Sequence, residues 1–359
     1  MKNSKIISFL VFLAASFLFV QCTTDPIAGP AGVDGIDGVD GVDGVNGTTE
    51  CAQCHNVSTS EAVHASFMYS THYEHGTVAR GGSASCARCH SGSGFIDYLA
   101  QGAMNDYIPS DAVLTGGSIG PQKFSCNTCH DMHTSFDFAN DGYDYALRTL
   151  APVKMMADEA YELDFEGTAN ICANCHQPRP SYLPPVDNGM GLYEFTSSRW
   201  GPHHGPQSTM IEGIWGVNIE GSTAYPAPKS AGHRTNGACT NCHMGESGGQ
   251  IEGLHTWFPS DAECAKCHTG GIPSEVAGLE DDMNALLDIL VAEGILEVEI
   301  DEETGEEEVG PVPGTYPILV AEAAWNYRLI QEDQSHGKHN PNYAKALIKN
   351  SLEALNNAD

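Results

Sequence analysis

Positive charge is scarce in this chain of 359 residues: 16 lysines and arginines stand against 47 aspartates and glutamates, a formal charge of -31. A field of that sign repels phosphate and anionic lipid, which excludes nucleic acid as a partner and favours solubility or docking to basic proteins. Long apolar runs are also lacking. The longest, Ile6 to Val20, has fifteen residues, short of the roughly 20 that a spanning helix needs. Preceded by Lys2 and Lys5, it has the make-up of a signal-peptide core, so residues 1–21 are expected to be removed on export. Cysteine outside a Cys-x-x-Cys pair is nearly absent as well, Cys22 being the single case among 13.

What is present is one chemical unit, six times over. CAQCH holds Cys51, Cys54 and His55; CARCH holds Cys86, Cys89 and His90; CNTCH holds Cys126, Cys129 and His130. CANCH supplies Cys172, Cys175 and His176, CTNCH supplies Cys239, Cys242 and His243, and CAKCH supplies Cys264, Cys267 and His268. Chance placement of these residue types gives roughly 0.02 copies of the c-type haem attachment pattern. Two thiols three positions apart lie on one side of a short helical turn, at a spacing suited to thioether bonds with the two vinyl groups of haem. The next residue turns under the iron, where histidine offers an imidazole as proximal ligand. Disulfides, or zinc sites built from two Cys-x-x-Cys pairs, leave unexplained a histidine after every pair. Six covalently attached haems c are therefore expected, spread from Cys51 to His268. With so few residues per porphyrin, the porphyrins supply much of the apolar core and regular secondary structure is sparse.

A low-spin iron needs a sixth ligand, and ten further histidines are available. In CNTCHDMH, His133 follows His130 by three positions, and three residues span at most about 10 Å. That reach makes it hard for His133 to round the porphyrin edge, so it is assigned to the iron of a neighbouring haem. The other distal assignments are His72, His204, His233, His255 and His339, several of them shortly before a haem motif or, for His204, in the Pro- and Gly-rich loop WGPHH. His75, His203 and His336 are the substitutes. His64 reads as packing, and Met132 and Met244 as core filler.

With these motifs the chain resembles the multihaem c-type cytochromes. CNTCHDMH, RWGPHHGPQ, the CTNCHM segment with His233 upstream, and HNPNYAKALIKNSLEAL are similar to stretches of the cytochrome c nitrite reductase and octahaem cytochrome group. The resemblance implies that the histidine of each motif is proximal and that His339, in the HNP segment, is distal. It departs at one point: the nitrite reductases bind substrate at an open haem whose motif commonly ends in lysine, and no CxxCK occurs here. The expected function is electron transfer between redox proteins or to extracellular acceptors. A reductase or oxidase of nitrogen or sulfur compounds with one open haem, and a subunit of a cytochrome filament, are the alternatives.

LFVQC resembles the lipobox of bacterial lipoproteins, although Gln21 departs from the small residue usual there. It implies a lipidated Cys22 and an outer-membrane location facing the periplasm or the cell surface. Cleavage near Ala14, Ala15 and Ser16 is the alternative. Residues 22–50 carry glycine at every third position from Gly29 to Gly47 with few prolines, a poor triple helix; a tether with a reach of roughly 30 Å is expected, with trimerisation left open. The haem region is placed at 51–275 and a helical region packed on it at 276–359. In the latter, helices are expected from Leu279 to a stop at Gly294, from Tyr316 to Glu332, and from Asn340 as N-cap onward. The acidic run 297–308 reads as a solvated hairpin or loop. The fold class is thus a multihaem cytochrome c, a mostly irregular haem-packed core with short helices and longer C-terminal α-helices.

Overall fold

A computed structural model describes residues 51–74, 81, 83–102, 122–137, 143–246, 251–300, 305 and 307–358. The signal segment, Cys22, the glycine repeat and His75 lie outside the described residues. The chain divides into two compact units, Met1–Ala52 and Gln53–Asp359. The first is described only at its last two residues, and the architecture below is that of the second.

Up to Cys267 the described elements are short. Helix α1 (Cys51–Cys54) is followed by α2 (Val57–Met68), α3 (Thr71–Glu74), α4 (Ala84–His90), α5 (Gly92–Gln101) and α6 (Cys126–Cys129). A two-residue antiparallel ladder, β1 (Val153–Lys154) with β2 (Glu162–Leu163), precedes α7 (Asn170–Ala173), strand β3 (Leu192–Phe195) and α8 (Gln207–Glu212). Helices α9 (Gly232–Asn236) and α10 (Ala238–His243), a 3-10 turn at Leu254–Thr256, and α11 (Asp261–Cys267) complete this part. Local chemistry sets several boundaries. The Asn56 side chain accepts from Thr59 N at 2.8 Å to open α2, and Ser91 does the same for α5 from Gly94 N at 3.1 Å. Gly94 itself is required where α5 crosses α4, because a Cβ there would lie 2.5 Å from the Ala87 carbonyl oxygen.

The C-terminal part is regular. Helix α12 (Leu279–Ala292) buries Leu279, Leu286 and Leu290 on one face and ends before Gly294, whose φ of +73° suits a left-handed stop. The described ends of the acidic run pair with one another, β4 (Leu296–Ile300) antiparallel to β5 (Glu307–Pro311). Strand β6 (Gly314–Pro317) pairs antiparallel with β3, Tyr193 opposite Tyr316. Helix α13 (Ile318–Asp333) therefore starts two residues later than its apolar spacing suggests: Tyr316 and Pro317 are held in the ladder. Helix α14 (Pro341–Ala358) opens as the sequence implies, with Asn340 accepting from Tyr343 N at 3.2 Å and Pro341 in the first turn.

The largest apolar core lies here. Helices α12, α13 and α14 pack on one another, and α13 also meets α8 and β3. Phe195 stacks on Trp200 at 4.5 Å, and Trp200 meets Trp325 edge-on at 5.6 Å. Buried polar groups fasten the loop after α8 to this core: Trp325 Nε1 donates to Trp215 O at 2.8 Å, Gly216 N donates to the Tyr343 hydroxyl at 2.8 Å, and Asn326 exchanges two bonds with Val217. Among the described residues before 150, by contrast, the buried apolar cluster is Ala87, Phe95 and Tyr98, joined by a few partly buried neighbours. No helix among the described residues is long and apolar enough to cross a membrane.

Candidate haem sites

The motif pairs sit on short helical turns: α1, α4, α6, α10 and α11 each carry both cysteines of a pair, while α7 carries Cys172 and Cys175 lies in the turn that follows it. The turn aims the histidine that follows. His130 N donates to Cys126 O at 2.9 Å, His176 N to Cys172 O at 3.0 Å and His268 N to Cys264 O at 2.8 Å. The i, i+3 spacing leaves both sulfurs of a pair on the same side of its turn. All twelve motif cysteines are free thiols, and among the described residues no group of three or more His, Cys, Asp or Glu side chains converges as a metal-ion site.

The arrangement is one of pairs. Each motif histidine faces one other imidazole: His55 and His133 at 6.1 Å between ring centroids, His176 and His72 at 6.1 Å, His90 and His203 at 6.1 Å. His130 and His255 lie at 6.1 Å, His268 and His233 at 6.0 Å, and His243 and His339 at 6.2 Å. Two imidazoles bound to opposite faces of one metal through bonds of about 2 Å have their centroids roughly 6 Å apart. The six spacings fit an iron between each pair. They are too long for direct ring stacking and too uniform for incidental contact.

Six of these histidines have the second ring nitrogen tied down. Nδ1 of His130 donates to Tyr145 O at 2.8 Å, that of His243 to Trp257 O at 2.7 Å, and that of His233 to Lys338 O. Nδ1 of His176 bonds to Gln207 Oε1 at 3.1 Å. His133 and His339 bond to carboxylates, Asp144 Oδ1 at 2.6 Å and Asp333 Oδ1 at 2.6 Å. A carbonyl oxygen only accepts, so Nδ1 carries the proton and the Nε2 lone pair is left for a metal. Asp144 is itself held by Thr134 N at 2.6 Å, Thr134 Oγ1 at 2.8 Å and Ala146 N at 2.9 Å. Burial raises its carboxyl, but these donors and His133 outweigh it and keep the group well below the ordinary carboxylate range.

Burial keeps three of the facing imidazoles, His72, His203 and His255, neutral. Burial, with His176 adding to it, lowers His72 to about 4. Burial and then His130 lower His255 to about 4, and burial followed by Arg179 and other cations lowers His203 to about 4. His176 and His243 are lowered mainly by burial. Neutral imidazole is the form that ligates.

The structure places His72, His133, His233, His255 and His339 opposite motif histidines. It departs from the sequence reading at WGPHH. His203, not His204, faces His90; the two neighbouring rings lie 4.7 Å apart between centroids, with His203 held at a φ of +68° and His204 drawn off by a carboxylate. His204 bonds through Nδ1 to Glu332 Oε2 at 2.6 Å, its side chain is 70% exposed, and that carboxylate raises its pKa. His64 and His336 are exposed, and Met132 is 76% exposed. The sequence did not disclose Asp144 and Asp333 as supports of His133 and His339, since nothing separates them from the chain's other acids. Trp257 was missed too, for want of a motif.

No family model matches the chain. Two curated relatives, both C-type polyheme cytochrome OmcB, from the DL-1/KN400 and PCA strains of Geobacter sulfurreducens, are 23% identical over 352 aligned positions, covering 79% of this chain and 45% of theirs. The chain thus spans less than half the length of the curated relatives it matches. Among solved structures, the outer cell wall cytochrome OcwA gives a TM-score of 0.45 at 18% identity, over 81% of this chain and 49% of that one. An undecahaem cytochrome from the S-layer of Carboxydothermus ferrireducens gives 0.43 at 17%, over 77% and 38%. The proteins that this chain resembles are multihaem c-type cytochromes.

Proposed function

We propose that the chain is an exported carrier of six covalently attached haems c, each iron bound by two histidines, that passes electrons between redox partners or to extracellular acceptors. The observation that carries this reading is the set of six imidazole pairs, each with one member from a Cys-x-x-Cys-His motif and each at the spacing a shared metal requires. The twelve motif cysteines would hold the porphyrins. Bound haem supplies an iron that gains and loses one electron, with a potential set by its two imidazoles and their surroundings.

The chain's own residues do the rest. Asp144 and Asp333 fix the tautomer of His133 and His339 and raise the basicity of those rings. Burial of His72 and His255 keeps protons off them. Short peptides set the spacing, since the three-residue step from His130 to His133 ties two pairs together. Export, lipidation at Cys22 and an outer-membrane position belong to the same proposal, supported by LFVQC and by relatives named as polyheme cytochromes.

Carbon monoxide tests it. The reduced protein is expected to bind almost none, because each motif histidine has an imidazole facing it. Uptake of one or more equivalents per chain would overturn saturation and favour a reductase with an open iron.

A further inference from the structure

Trp257 stands where three of the six imidazole pairs come together. Its ring meets His72 edge-on at 4.7 Å, with an interplanar angle of 88°, and His255 at 5.4 Å. Its carbonyl oxygen takes the Nδ1 proton of His243 at 2.7 Å. His72 faces His176, His255 faces His130 and His243 faces His339, so one residue touches a member of three separate pairs. Its backbone is held at φ +56°, the left-handed region that a bulky residue rarely adopts. That conformation is what sends the ring and the carbonyl toward different histidines, and an outlier of this kind at a cluster of functional groups calls for a functional account. Phe67 supports the ring from α2 at 5.9 Å, and Ser66 Oγ accepts from His255 N at 3.2 Å.

The remaining three pairs each hang from a different member of this junction. His133 lies three residues after His130, which attaches the His55 pair to the His130 pair. Cys175 Sγ lies 3.5 Å from Arg88 O and Cys89 Sγ 4.0 Å from Asn174 O, which sets the motif of the His90 pair against that of the His176 pair. Helices α9 and α10 adjoin, and Ser260 N donates to Cys242 O at 3.1 Å, which joins the His268 pair to the His243 pair.

We propose that Trp257 is the positioning residue that joins three imidazole pairs, so that the six sites form three arms meeting at one junction instead of a single file. The proposal rests on the haem reading above. Its functional content is three ends, at His55/His133, His90/His203 and His268/His233, each a separate place for a redox partner to exchange electrons with the chain.

The test is magnetic resonance on the full holoprotein, in which the signal of a low-spin iron reports the mutual orientation of its two imidazoles. In Trp257→Leu, two of the six low-spin signals should move, those of the His72/His176 and His130/His255 sites, assigned beforehand through His72→Met and His255→Met. The His243/His339 signal should stay, because its tie is to the Trp257 backbone. Trp257→Phe keeps an aromatic ring and should restore the native positions, which also guards against a leucine variant that fails to fold. Movement of one signal alone, of none, or of two others would overturn the proposal, as would failure of the phenylalanine variant to restore them. Failure of the underlying reading looks different: the unaltered protein would then lack the mass of six haems and would have no low-spin signals to compare.

Discussion

His203 and His204 are neighbours with opposite surroundings. One is half-buried, lowered to about 4 and aimed at His90; the other is exposed and bonded to Glu332. Replacing His203 with alanine is expected to convert one of six irons to a five-coordinate, high-spin state that binds one equivalent of carbon monoxide, whereas His204→Ala should leave six low-spin irons; magnetic resonance on the two variants checks this. Asp144 acts on a site without touching its metal position. Asp144→Asn removes the negative charge that makes His133 a stronger donor, so the potential of the His55/His133 site is expected to rise while the other five stay put, as a redox titration would show. At this scale the six motifs were legible because all six repeat one Cys-x-x-Cys-His spacing. The partner of His90 was not, since the two adjacent histidines are distinguished by backbone conformation and a distant carboxylate, which spacing does not carry.

At the scale of elements, polar networks hold the motif-bearing helices in place. Glu212, fully buried at the end of α8, receives Arg234 Nε, Lys229 Nζ at 3.5 Å and the Tyr161 hydroxyl at 3.2 Å. Burial first, and Glu212 second, push Tyr161 up to about 12. Because Arg234 sits on α9 beside His233, removing the carboxylate strands a largely buried guanidinium: Glu212→Ala is expected to lower the unfolding free energy by about 3–5 kcal/mol, measurable by denaturant titration. Asn170 does similar work at the start of α7, accepting from Phe165 N at 2.7 Å and donating to Leu150 O at 2.9 Å and Asp164 Oδ1 at 3.0 Å. That donor and Glu166 N depress the Asp164 carboxyl. A depressed acid stabilises the fold at every pH above its unfolded value of about 4 and loses that contribution as pH falls through its lower folded value. The unfolding temperature of the native protein should therefore fall below about pH 4, and Asn170→Ala, which returns the Asp164 carboxyl toward its unfolded value, should lower stability at neutral pH and shrink that acid-induced fall. Helices α12 and α14 were legible because apolar spacing, Asn340 and Pro341 act locally. The start of α13 was not, because Tyr316 and Pro317 are claimed by a strand more than 100 residues earlier.

Over the whole molecule, the distribution of apolar packing follows the distribution of motifs. The Phe195, Trp200, Trp325 core and helices α12 to α14 form a conventional protein interior, whereas the described residues before 150 bury a single small apolar cluster. Porphyrins held on α1, α4 and α6 would supply the missing apolar surface there. Cysteine spacing and helical periodicity put the expected boundary at residue 276, yet the core also takes in Phe195, Trp200, Met210 and Ile219 from before it. The sequence did not convey which histidine faces which motif, because those pairings join segments as distant as His72 and His176, or His243 and His339. The formal charge of -31 adds self-repulsion that salt screens, so partners that dock on this surface are expected to carry basic patches. The pairing of all six motif histidines is the claim on which everything else stands, and spin-counted magnetic resonance of the oxidised holoprotein tests it most directly. Six low-spin ferric irons per chain and no high-spin signal are expected; a high-spin signal integrating to one iron or more, or fewer than six irons in total, would contradict the pairing.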